Sequence, residues 1–94
     1  MLIFCEYVIL EQSLDAFRAW AKDHPALWTG VQLLENTDQP GVILEIRPAR
    51  DEHNAENIQK ERLGRRSEWA AMEKWVKGGR SGIRIWKFRP YFNE

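Results

Sequence analysis

GVILEIRP, residues 41–48, is the stretch on which the fold turns. Successive side chains of a strand face opposite sides, so Val42, Leu44 and Ile46 point one way and Ile43, Glu45 and Arg47 the other. Pro48 has no amide hydrogen to donate and ends the strand. NTDQPG, residues 36–41, precedes it and is dense in turn formers. Before that, TGVQLLE, residues 29–35, reads as another strand punctuated by Gly30. Two strands joined by a short turn-rich loop form an antiparallel hairpin.

Working outward, LIFCEYVIL, residues 2–10, reads as a first strand, β-branched and aromatic with one charge. It is apolar on both alternations, as a strand covered on both faces would be. Ser13 stands as an N-cap with Asp15 in the first turn. Leu14, Phe17, Ala21 and His24 then recur at helical spacing, with Trp20 flanking the stripe. Pro25 disfavours helix at His24 and stops the element there. Beyond the hairpin, residues 50–63 are polar and helix-permissive, and Gly64 interrupts them. Ser67 can cap a second helical piece, EWAAMEKWVK, with Trp69, Met72 and Val76 on one face, Trp75 beside it, and Gly78 and Gly79 as C-terminal caps. SGIRIWKFRP, residues 81–90, holds a last strand over 82–88.

The order β-α-β-β-α-β predicts an α+β, ferredoxin-like fold: a four-stranded antiparallel sheet in spatial order 4-1-3-2 with both helices on one face. Residues 1–94 read as a single domain. The alternation that carries Ile3, Cys5 and Tyr7, with Val42, Leu44, Ile46 and Ile85, is almost wholly apolar and is assigned to the helix-covered core. The other alternation mixes aromatics with charge. A large apolar patch generally marks an interaction surface, so this face is expected to meet a second copy of the chain through Phe4, Glu6, Glu45, Arg84, Trp86 and Phe88. Glu6, Glu45, Arg47 and Arg84 would neutralise one another there.

Composition excludes some partners. With 14 basic and 14 acidic residues the chain has no net charge, which argues against electrostatic nucleic-acid binding. Cys5 is the only cysteine, so no intramolecular disulfide forms, and its place in an apolar strand reads as a small buried hydrophobe. No apolar run approaches the ~18 residues of a membrane span. The first residues lack the basic region and cleavage site of a signal peptide, so the cytoplasm is the expected compartment.

PALWTGVQLLE, residues 25–35, is similar to the stretch joining the first helix to the second strand in the dimeric α+β barrel superfamily, in particular its antibiotic-biosynthesis-monooxygenase-like members. GVILEIRPARDEHNAENI, residues 41–58, resembles their third strand running into an acidic helix start. The resemblance implies two ferredoxin-like sheets packed face to face as a barrel. It also implies activities ranging from cofactor-free oxygenation of aromatic compounds to haem degradation and small isomerisations. The haem-degrading branch uses an Asn on strand 1, a Trp at the end of strand 3 and a His on the second helix. Here strand 1 offers no Asn, Arg47 stands in place of the Trp, and His53 comes too early, so haem degradation is disfavoured.

Within that architecture a small aromatic or enolisable ligand would sit between sheet and helices. His24 is the candidate general base, imidazole being a common side chain for that role. Tyr7 is the candidate hydrogen-bond donor to a carbonyl or enolate oxygen, and Trp20, Trp28 and Trp69 are the candidate apolar walls. No cofactor is implied. DEHNAEN, residues 51–57, reads as a solvated helix start rather than a metal site, because no second ligand cluster exists elsewhere. KERLGRR, residues 60–66, could meet an anion but reads first as a solvated helix surface. The expected function is thus a small-molecule-binding homodimer, as a cofactor-independent monooxygenase or isomerase. The alternative is a non-catalytic dimeric binding protein whose interior is filled by its own tryptophans.

Overall fold

The computed structural model describes residues 1–92. Strands β1 (Leu2–Val8), β2 (Gln32–Glu35), β3 (Val42–Pro48) and β4 (Arg84–Phe88) form one open antiparallel sheet in the order β2-β3-β1-β4. Helix α1 (Leu14–Asp23) connects β1 to β2, and α2 (Glu52–Arg62) follows β3.

Local chemistry sets the elements. Helix α1 buries Phe17 and Trp20, three residues apart and so on one stripe. Pro25 then begins a 3-10 turn, Pro25–Trp28, and residues 29–31 of the expected second strand are not in the sheet. Gly30, at φ 74°, turns the chain, and β2 is left as a four-residue edge strand exposed throughout. The carboxylate of Asp51 caps α2 by accepting from the Asn54 amide at 2.7 Å.

The piece expected as a second α-helix over 68–77 is a 3-10 helix, Glu68–Trp75. Its large apolar residues, Trp69, Met72 and Trp75, recur every third position, and a 3-10 helix stacks such residues in one row. It does not run to the glycines, because Val76 is extended and bridges Ile9. The Leu10 amide donates to the Trp75 carbonyl at 2.9 Å and the Lys77 amide to the Val8 carbonyl at 2.8 Å.

One sheet face carries the core. Cys5, Tyr7, Ile43 and Ile83 pack with Phe17 and Trp20 of α1 and with Trp69 and Met72 of the 3-10 helix. Ile3 packs with Ala55 of α2. Residues directly opposite on antiparallel strands share a face, and the register sets Ile3 opposite Arg47, Cys5 opposite Glu45 and Tyr7 opposite Ile43.

This register corrects the assignment of β3. Ile43, Glu45 and Arg47 lie beneath the helices, whereas Val42, Leu44 and Ile46 face outward with Val8, Glu6 and Phe4. Glu45 is 0% exposed and is therefore not an element of any outward interface. The alternation in VILEIR misled because an aliphatic set is normally the buried one. Here the polar set goes inward because Arg62, from α2, arrives to satisfy it. The outward face gains three aliphatic residues in exchange and stays strongly apolar: Leu2, Leu34, Trp86 and Phe88 are 42–51% exposed.

Candidate functional site

The polar centre of the molecule is built on β3. Glu45 takes hydrogen bonds from the Tyr7 hydroxyl of β1, from Nη2 of Arg47 two residues along its own strand, and from Arg62 at the end of α2. Arg62 binds in a fork, Nε to Oε1 at 3.0 Å and Nη2 to Oε2 at 2.9 Å. Such a planar, bidentate pairing is the strongest geometry available to an ion pair. The Trp69 ring lies against both guanidinium groups, with Cζ of Arg62 at 4.4 Å and Cζ of Arg47 at 5.0 Å from its centroid. An aromatic face attracts cations, more so when water is excluded.

The cluster is not balanced. One carboxylate faces two guanidinium groups, and the Nε of Arg47 and Nη1 of Arg62 are buried with no hydrogen-bond partner. Burial tends to lower the pKa of Arg62, but its hydrogen bonds and charge contact with Glu45 more than reverse this, so it stays protonated. Burial, then the charge of Glu45 and the hydrogen bond to it, holds the Tyr7 hydroxyl well above its usual range. Burial and Glu45 likewise push the Cys5 thiol up to about 12.

Arg47 and Arg62 also form part of the wall of a cavity of about 310 Å³. Leu27, Val31, Ile58 and Trp69 supply its apolar walls, and Glu61 stands on the same rim. This volume is at the lower bound of small-ligand sites, roughly 300–1,000 Å³. A wider cleft of about 510 Å³, bordered by Glu6, Gln39, Lys77 and Arg84 among others, contains none of the unpartnered buried side chains.

The residues expected to form the site are only partly gathered. Trp69 borders the cavity, whereas Tyr7, His24, Trp20 and Trp28 do not. The Tyr7 hydroxyl is committed to Glu45. His24 stands at the C-terminal end of α1, where its Nδ1 donates to the Trp20 carbonyl at 2.8 Å. Trp20, Trp28 and Trp69 pack edge to face on one another with centroids 5.1–6.3 Å apart, so much of this interior is filled by indole. His53 is exposed in the first turn of α2.

Arg47, expected on the outward sheet face, and Arg62, within the segment 60–66 that reads first as solvated surface, are the site residues the sequence did not bring together. One signal for Arg62 is periodicity: Ala55, Ile58 and Arg62 are spaced three and four apart, so Arg62 lies on the inward stripe of α2. For Arg47 the signal is its position two after Glu45, on the same side of the strand. Compared with known proteins, the chain matches no family profile, no curated protein and no solved structure.

Proposed function

We propose that this protein is a small-molecule-binding homodimer of ferredoxin-like, dimeric α+β barrel type, each protomer holding one ligand in the cavity beside Arg47, Arg62 and Trp69. The observation that carries the binding reading is that cavity: apolar walls converge on two guanidinium groups with unfilled hydrogen-bonding capacity. A pocket with a few convergent polar groups in an apolar wall is the usual form of a ligand site. Binding is favoured over proton-abstraction chemistry because the Tyr7 hydroxyl and the His24 Nδ1 are both engaged in internal hydrogen bonds.

The dimer reading rests on the outward sheet face. Phe4, Leu34, Leu44, Ile46, Trp86 and Phe88 share it, and Glu6 stands directly across from Arg84. A face carrying both an acid and a base beside aromatics is complementary to a second copy of itself, which suits a twofold interface. An interface of standard size buries about 800 Å² per partner, within reach of a four-stranded sheet.

Two measurements test the proposal. Sedimentation at micromolar concentration should give a dimer for the wild type and a monomer or weakened dimer for Trp86→Glu; a monomeric wild type removes the barrel. Thermal-shift screening with neutral phenols, quinols and small aromatic acids should raise Tm with at least one compound. Silence towards all of them removes the binding site.

A further inference from the structure

We infer that the cavity ligand is a small organic monoanion, a carboxylate on a compact apolar or aromatic body. This inference rests on the binding reading above and adds the chemical class of the ligand. Three observations lead to it. The buried cluster of Glu45, Arg47 and Arg62 carries one positive charge in excess. Buried charges require compensation, and buried donors without acceptors are rare enough in folded proteins that each calls for a partner. Both arginines border the cavity, and the Arg47 side chain remains 11% exposed while that of Arg62 is fully covered.

The roles of the two arginines therefore differ. Arg47 is the group an incoming anion reaches, and Arg62, locked on Glu45 behind it, supplies the uncompensated field. A planar guanidinium matches a carboxylate edge-on through paired hydrogen bonds. A single negative charge brings the cluster to neutrality, whereas a phosphate dianion overshoots it and is costlier to strip of water. Leu27, Val31, Ile58 and the Trp69 indole leave the body of the ligand an apolar bed. Glu61 is the opposing feature. It is exposed on the same rim, and its water-screened charge weakens the site without cancelling the buried excess.

Benzoate and phenylacetate are suitable probes, with benzamide as the neutral shape control and inorganic phosphate as the anion control, all at constant ionic strength. Calorimetric titration is expected to show carboxylate binding with little or none for benzamide or phosphate, and the Trp69 indole N–H resonance should move on titration. Arg47→Gln, which leaves the Arg62–Glu45 fork intact, should weaken carboxylate binding by roughly tenfold or more. Glu61→Gln should strengthen it by roughly twofold. Benzamide binding as tightly as benzoate, phosphate alone binding, or carboxylate affinity unchanged in Arg47→Gln would each overturn the inference. The comparison of benzoate with benzamide uses the wild type and does not depend on any variant folding. Neutral phenols that bind while carboxylates do not would sink the ligand class and leave the binding reading standing. No binding by any compound sinks both.

Discussion

At the scale of single residues, Glu45 organises the interior. It is fully buried and joined to Tyr7, Arg47 and Arg62. Removing one member of a buried ion pair strands the other, at a cost of about 3–5 kcal/mol. Urea unfolding of Glu45→Gln should show a loss of this order. The double variant Glu45→Gln with Arg62→Met, in which an apolar side chain replaces the stranded guanidinium, should lose less than Glu45→Gln alone. A double variant less stable than the single would mean that the pair is not what holds this region. Cys5 gives a second expectation. Its thiol is raised by burial, and further by Glu45, from 9.0 to about 12. A group whose pKa is raised on folding stabilises fully below its unfolded value and loses that contribution as pH climbs towards the folded one. Stability should therefore fall from about pH 9 to pH 12, by up to about 1.4 kcal/mol per pH unit for each such group. Tyr7, raised in the same direction, adds to the fall. Cys5→Ala should flatten the profile over that window; an unchanged slope would show that the thiol does not contribute.

At the scale of elements, the connection from α2 to β4 contains the most crowded glycine, Gly82. A Cβ added at Gly82 would lie 2.0 Å from the Lys77 carbonyl oxygen, a backbone atom that cannot swing aside. Gly82→Ala should cost about 2 kcal/mol or more, through displacement of the turn that delivers β4. A thermal melt within a degree of wild type would contradict this. The elements were unevenly legible in the sequence. Helix α1 could be read because its stripe and the stop at Pro25 agree, and the four strands could be read from alternation and punctuation. The 3-10 helix could not, because Trp69, Met72 and Val76 fit an α-helical face as well as Trp69, Met72 and Trp75 fit a three-residue repeat. The inward side of β3 was hidden for a different reason. Val42, Leu44 and Ile46 are individually better core residues than Glu45 and Arg47. Only the arrival of Arg62, from a segment that reads as solvated surface, reverses the preference.

At the scale of the whole molecule, the same reversal explains why the site was legible only in part. A sheet face chosen by hydrophobicity turns Arg47 towards a partner subunit, whereas the register turns it inward, to a cavity that Arg62 of α2 also borders. The outward face did not need that detail, since Phe4, Trp86 and Phe88 belong to it on either reading. The strand order has one more consequence. β1 lies between β3 and β4, so residues 2–8 gain their two neighbours from residues 42–48 and 84–88. During synthesis one edge of β1 can be covered once residues 42–48 have emerged, whereas the other stays bare until residues 84–88 follow. Closing such distant pairings is slow and leaves adhesive edges uncovered. A holding chaperone that shields the bare edge of LIFCEYV until residues 84–88 emerge is thus expected to raise the yield of folded protein.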